Sequence, residues 1–330
     1  MLALQIFLLI LGLALLVKGA DWFVDGGAGV AKKCKISPLV IGLTIVAFGT
    51  SAPELAVSVT SAIQHSTDIS IGNVVGSNIV NILLILGLSA LLHKLPVQKN
   101  SIFLDLPVLI IASLLITFLG RWGNSLAWYD GLIMLAVFIA YMVILFVNAK
   151  KEQKAIKELE EQPSEEKEPK GKFNIWYSQM KERTWFLLIL LLVGLAMIVG
   201  GGTLLVDAAT YIAKAAGVSE RIIGLTVVAI GTSLPELVTS VVAAIKGETD
   251  IAVGNIIGSN IFNVLFVAAI SSLFYPLAYT LGNFIDSFVA LGAAAVLFVL
   301  SLFNKHTLGK LSGAVMLAYF VGYYVYLFVA

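Results

Sequence analysis

Gly42–Asn81 reads GLTIVAFGTSAPELAVSVTSAIQHSTDISIGNVVGSNIVN, and Gly224–Asn263 reads GLTVVAIGTSLPELVTSVVAAIKGETDIAVGNIIGSNIFN. The two stretches align without a gap at an offset of 182 residues, with 25 identities in 40 positions. The identities include Gly, Thr, Ser, Pro, Glu, Asp and Asn. Apolar composition alone does not impose those residues on two segments, so the chain carries an internal repeat. The match continues more weakly upstream, where Gly12 aligns with Gly194, Gly19 with Gly201 and Asp25 with Asp207.

The repeat sits in an unusually apolar chain. Of 330 residues 59% are hydrophobic and only 12% charged, against about 25% charged in an average soluble domain. Mean hydropathy is +0.98. This composition excludes a soluble enzyme, a nucleic-acid binder and a disordered protein, and leaves a polytopic membrane protein. The lone Cys34 permits no internal disulfide. The apolar stretch from Met1 to Val17 lacks a basic leader and a clear cleavage site, so it reads as a first span rather than a signal peptide.

A membrane helix needs about 20 apolar residues. Ten stretches qualify: 2–28, 37–63, 70–92, 102–120, 127–148, 185–213, 219–245, 251–275, 284–303 and 309–329. The first motif covers spans 2 and 3, the second spans 7 and 8. Five spans, an odd number, separate them, so the halves are expected to be inverted relative to each other. That is a common transporter plan, with the substrate site between the halves near mid-membrane. The expected fold is an all-α polytopic membrane protein of ten transmembrane helices, arranged as two inverted five-helix repeats. Residues 1–148 form the first repeat, with its motif at 42–81. Residues 149–184 form a loop with nine Lys/Arg and eight Glu between Asn148 and Thr184. Residues 185–330 form the second repeat, with its motif at 224–263. With the N-terminus outside, seventeen Lys/Arg fall in inside loops and three in outside loops. Positive charge favours the cytoplasmic side. Both termini are therefore expected outside a cell membrane, and the loop in the cytoplasm.

Only Glu54 and Glu236 lie deep within spans, and they are repeat mates. A carboxylate at that depth is costly unless it meets a cation or water. Each sits in GTSxPE. Proline removes one helix hydrogen bond and clashes with the carbonyl four residues back, here Gly49 or Gly231. Spans 2 and 7 are expected to break there, with Thr50 or Ser51 capping the new helix and Pro53 starting it. Asn73, Ser77 and Asn81 are spaced to share one helix face, and Asn255, Ser259 and Asn263 repeat the stripe. Gly72, Gly76, Gly254 and Gly258 give small-xxx-small spacing for close helix approach. Asn78 and Asn260 point elsewhere and read as interhelical hydrogen-bonding groups. The collected donors are all hard oxygens, because His65, His93 and His306 fall in loops or at span ends. Oxygen ligation selects calcium or sodium over zinc, copper or iron, and magnesium fits less well.

GTSAPEL with GNVVGSNIVN, repeated as GTSLPEL with GNIIGSNIFN, closely resembles the two alpha-repeats of the sodium/calcium exchanger family within the cation/calcium antiporter superfamily. The resemblance extends over essentially the whole chain and is closest to short-loop microbial members. It implies no enzyme activity and no cofactor; the transported ions are calcium and sodium, and the other partner is membrane lipid. It implies that Glu54 and Glu236 are shared ion ligands. The carbonyls of Ala47 and Ala229, with Thr50 and Thr232, would complete the sites. Ser51 and Ser233 would line them, Ser77 and Ser259 would serve flanking sodium sites, and Asn81 and Asn263 would lie at the centre. Spans 1 and 6 would be the moving gates. Asn263 falls where some microbial and potassium-dependent members carry Asp, which argues against potassium cotransport and leaves a site charge of −2. The alternative on the same scaffold is calcium/proton exchange. A cation channel and an intramembrane acid/base enzyme are readings from other classes, disfavoured by the inverted repeats and by the lack of a nucleophile or cofactor motif.

Overall fold

The computed structural model describes residues 2–159, 180–181, 183–217 and 229–329. It is mostly helical. The helices are α1 (Leu2–Cys34), α2 (Pro38–Thr50), α3 (Ala52–Ile63), α4 (Thr67–Leu92), α5 (Ser101–Gly123), α6 (Trp128–Leu159), α7 (Thr184–Ala215), the single turn α8 (Ala229–Gly231), α9 (Leu234–Ile245), α10 (Thr249–Phe274), α11 (Leu281–Leu302) and α12 (Lys310–Val329). Among the described residues eight helices are long and apolar enough to cross a bilayer. A ninth span is the α2–α3 pair, bent by 47°. The expected span 219–245 is described only from Ala229 onward; residues 219–228 lie outside the described set.

The all-α fold carries two local features that the sequence does not announce. Two short ladders join loops: β1 (Leu95–Pro96) pairs antiparallel with β4 (Thr307–Leu308), and β2 (Ser125–Leu126) with β3 (Leu277–Ala278). Loop backbone at a membrane surface needs partners for its polar groups, and these ladders supply them. The second feature lies within the helices. Gly42–Val46, Val80–Leu86, Ser101–Asp105 and Asn263–Ala268 are π-helical turns. Such bulges collect at functional sites; of those among the described residues, Gly42–Val46 lies within the first motif, and Val80–Leu86 and Asn263–Ala268 begin at the last residues of the two motifs and run past them.

The 182-residue offset recurs in the contacts. β1 and β3 are repeat mates, as are β2 and β4, and each ladder joins one half to the other. The backbone bond from Val97 N to the His306 carbonyl (2.7 Å) has its mate from Tyr279 N to the Asn124 carbonyl (2.9 Å). Helices α1 and α7 cross with their glycines opposed. A Cβ on Gly12 would lie 2.7 Å from the Gly201 carbonyl oxygen, and one on Gly19 would lie 2.8 Å from that of Gly194. The two glycine pairs exchange under the offset.

The glycine spacing in the motifs works on one side. A Cβ on Gly254 would meet the Leu39 carbonyl at 2.7 Å, and one on Gly258 the Leu43 carbonyl at 2.6 Å, so α10 packs directly on the α2 backbone. Gly72 and Gly76 meet no described residue within 4 Å. The mates of Leu39 and Leu43, against which the close approach expected of Gly72 and Gly76 would be made, are Arg221 and Leu225, which lie outside the described set.

The α1–α7 crossing yields a direct test. Gly19→Ala places a methyl against backbone and should cost about 1–3 kcal/mol as overpacking. Gly200→Ala, with open space at its Cβ, should leave thermal unfolding in detergent unchanged. Equal effects from the two would contradict this packing.

Candidate cation site

The two breaks have nearly the same geometry. Ser51 ends α2 at φ −85° and ψ 9°, and Ser233 precedes α9 at φ −88° and ψ 6°. Pro53 and Pro235 lie in the first turns of α3 and α9. Neither can donate to the carbonyl one turn back, so each span bends and restarts. The restart sets Glu54 and Glu236 in a first helical turn, where the helix dipole favours a carboxylate. Both side chains are fully buried.

Ser51 occupies the cap position, but its hydroxyl does not bond the α3 backbone. It donates to Glu236 Oε1 at 2.8 Å. The hydroxyl cap expected from sequence is therefore corrected. A carboxylate acceptor makes the stronger bond, and it draws Ser51 across to the other half. Thr50 Oγ1 lies 3.3 Å from the Ala47 carbonyl oxygen and 3.1 Å from Asn255 Oδ1. The Ala47 carbonyl also accepts from Ser51 N at 3.0 Å, so the break does not strip it of partners.

Helices α4 and α10 supply the polar stripes. Ser77 Oγ lies 3.5 Å from Glu54 Oε1, and its mate Ser259 Oγ lies 3.4 Å from Glu236 Oε1 and 3.4 Å from the Ala47 carbonyl. Asn73 donates to Ser58 Oγ at 2.8 Å, and its mate Asn255 donates to Ser240 Oγ at 2.9 Å. Asn78 and Asn260 do bridge helices. Asn81 Nδ2 donates to Asn260 Oδ1 and Asn263 Nδ2 donates to Asn78 Oδ1, both at 3.3 Å. Each bond crosses from one repeat to the other and exchanges under the offset. Together they orient the amides of Asn81 and Asn263.

Several buried polar atoms at the two motifs remain unpartnered, most of them oxygens, with Asn260 Nδ2 the one nitrogen among the described residues. Glu54 Oε2, Glu236 Oε2, Asn81 Oδ1 and Asn263 Oδ1 are buried acceptors with no hydrogen-bond partner among the described residues, as is the Ser233 hydroxyl. No described Lys, Arg or His pairs with either glutamate. Other buried acids differ: Asp105 accepts from Tyr141 at 3.0 Å, and Asp130 accepts from Ala127 N at 2.9 Å. Among the described residues no group of three or more His, Cys, Asp or Glu is placed to hold a metal. Two carboxylates with neutral amide, hydroxyl and carbonyl oxygens suit a hard cation.

The sequence pattern of the family described as Sodium/calcium exchanger protein matches residues 4–147 and 186–329. The chain belongs to this family. It is similar to CaxA of Alkalimonas amylolytica, described as a candidate antiporter, at 40% identity over 99% of each chain. It is 33% identical to the sodium/calcium exchanger MaX1 of Methanosarcina acetivorans, again over 99% of each. Its fold matches the solved sodium-calcium exchanger NCX_Mj with a TM-score of 0.81 and 33% identity, over 97% of each chain. The family is one of cation/calcium antiporters in the membrane.

Within this exchanger fold the surroundings of the site are not symmetric. A cavity of about 180 Å³ touches both breaks through Pro53, Thr232 and Pro235 and runs along α7 past Thr203 and Asp207, both of which are exposed. Thr232 is half-buried while its mate Thr50 is fully buried. The corresponding positions on α1 are closed by charge. Lys246 Nζ lies 2.5 Å from Asp21 and 2.8 Å from Asp25, and Lys181 lies 2.7 Å from Asp25. Burial, with the charges of Asp25 and Asp250 beside it, raises the Glu248 carboxyl above its usual range. The repeat mates of Asp21, Asp25 and Lys246 are Thr203, Asp207 and Gln64, so the α7 end has no lysine to make the same contact. Ala229 lies in α8, one turn before Ser233.

Sequence reasoning missed the Lys246 contacts and the Asn73–Ser58 and Asn255–Ser240 bonds. Ser58 and Ser240 were legible as repeat identities four residues after each glutamate, one helical turn along the same face.

Removing an inter-repeat bond should disturb the site at a distance. Asn78→Ala leaves the Asn263 amide and the Asn260 carbonyl short of a partner and should cost about 1–3 kcal/mol of stability. Calcium affinity should fall with it, measured by calcium-dependent thermal shift. Unchanged affinity would separate this amide network from ion binding.

Proposed function

We propose that the chain is a secondary antiporter that exchanges sodium for calcium by alternating access. The observation that carries this reading is the pair of fully buried glutamates, each with an unpartnered oxygen and no described protein cation beside it. Charges placed in that way need a cation from outside the protein. In this reading Glu54 and Glu236 neutralise one calcium, with Thr50, Thr232 and the Ala47 and Ala229 carbonyls completing its shell. Ser51 and Ser233 line it, Ser77 and Ser259 serve sodium at flanking positions, and Asn81 and Asn263 lie at the centre. One calcium would balance the −2 charge, and three sodium ions would leave +1, so exchange at that ratio moves net charge.

The architecture proposed with it is ten spans in two inverted repeats, 1–148 and 185–330, joined by a cytoplasmic segment at 149–184, with both termini outside a cell membrane. The contacts that exchange under the 182-residue offset support the inversion. The 17-to-3 distribution of Lys/Arg supports the orientation. In that frame the Asp207 cavity is the outer access route, and Lys246 on Asp21 and Asp25 latches the inner one. The latch lies at an aqueous boundary, where each ion pair contributes about 0–1 kcal/mol. That is weak enough to release each cycle. Sodium and calcium compete for the same carboxylates, which couples the fluxes without simultaneous binding.

Calcium-45 uptake into proteoliposomes separates sodium from proton coupling. Uptake should require an outward sodium gradient and should not respond to a pH jump in potassium or choline. Glu54→Gln and Glu236→Gln should each lower it by at least about a hundredfold, as for a lost partner at a buried charge. Uptake driven by pH and indifferent to sodium would move the assignment to calcium/proton exchange. Lys246→Gln should raise labelling of a cysteine placed at Ser58 from the loop side by up to about tenfold; unchanged labelling would remove the latch from the mechanism.

A further inference from the structure

A second cavity, of about 810 Å³, lies away from the ion site where the ends of α4 and α11 meet the start of α12. Its lining combines two chemistries. Leu92, Phe303 and Leu311 are 62%, 64% and 80% exposed, and Lys94 and Lys310 are exposed beside them. The β1–β4 ladder fastens this corner and brings two further lysines, Lys99 and Lys305, to the same end of the bundle. None of the four makes an ion pair among the described residues.

The internal repeat supplies a control. The β2–β3 ladder is the same structure at the other end of the molecule. There the positions of Lys94, Lys99, Lys305 and Lys310 are held by Pro276, Leu281, Gly123 and Trp128. The four lysines are therefore not required to build the ladder or to join the helices. Among the described residues around β2–β3 the one cation is Arg121, in the last turn of α5, and it lies over the Phe284 ring at 5.6 Å.

We propose that the Lys94–Lys310 cavity binds an anionic phospholipid. The lysines would take the headgroup phosphate, and Leu92, Phe303 and Leu311 the first part of the acyl chains. Three observations select this occupant. The cavity is far larger than a phosphate and falls in the size range of organic-ligand pockets. Its apolar side chains are exposed at helix ends, at the hydrocarbon boundary, directly beside the charges. It lies at the end that the charge distribution assigns to the cytoplasm, where basic pockets between helices meet anionic headgroups. This goes beyond the exchange reading and does not depend on which ion is coupled.

The test uses the full-length chain in detergent with equimolar phosphatidylglycerol and phosphatidylcholine, read by native mass spectrometry. One phosphatidylglycerol should be retained in preference to phosphatidylcholine. Each lysine near a headgroup contributes about a fivefold factor, so a chain carrying both Lys94→Gln and Lys310→Gln should retain it about thirtyfold less. The double Lys→Arg chain should keep it, and Arg121→Gln should change nothing. Calcium uptake by the double Gln chain in phosphatidylcholine vesicles shows that it is folded. Equal retention of the two lipids, or retention unaffected by the Gln pair, would overturn the proposal. So would displacement of the lipid by excess inorganic phosphate, which would make the site one for the free anion.

Discussion

Two like charges are buried together, with no protein cation to neutralise them. Glu54 and Glu236 are fully buried and each keeps one oxygen without a partner. Burying a lone carboxylate costs several kcal/mol even after relaxation, and in a bilayer no neighbouring water-rich surface offsets it. Neutral oxygens surround the charges, and in the exchange reading a cation enters to balance them. That cation is then released to the other side, which is what exchange requires.

The other features of the bundle follow from keeping those two side chains in place. The proline-broken spans give each glutamate a fresh helix N-terminus. The stripes on α4 and α10 face the breaks with hydroxyls and amides. The hydrogen bonds from Asn81 Nδ2 to Asn260 Oδ1 and from Asn263 Nδ2 to Asn78 Oδ1 join the two halves. The aromatic side chains Phe48, Phe262 and Phe266 stack in sequence, with centroids 4.6 and 4.8 Å apart, and fill the space beside the α2 break. By contrast α1 and α7 touch each other through bare glycine backbone, and α1 meets Lys246 through Asp21 and Asp25. In the exchange reading the first group of helices carries the site, and α1 and α7 control access to it.

Much of this was legible in the sequence because the repeat is gapless. Buried carboxylates, prolines and polar stripes are rare in apolar spans, so their recurrence at a fixed offset marks the site before any coordinates. The hydroxyl of Ser51 was misassigned because a cap is a local rule, while its bond to Glu236 spans 185 residues in the chain. The π-turns were invisible because they leave apolar periodicity almost unchanged. The Lys246 latch escaped for a similar reason: a loop lysine carries no sign of which helix it will meet. The two ladders are too short to produce a strand pattern.

The central claim is that sodium and calcium occupy the same two carboxylates in turn. It is tested most directly by titrating calcium into the purified chain at a series of sodium concentrations, with ionic strength held constant by choline. The account predicts that the apparent calcium Kd rises with sodium more steeply than first order, because more than one sodium must leave for one calcium to bind. A calcium Kd independent of sodium would contradict it, because the two ions would then not share Glu54 and Glu236.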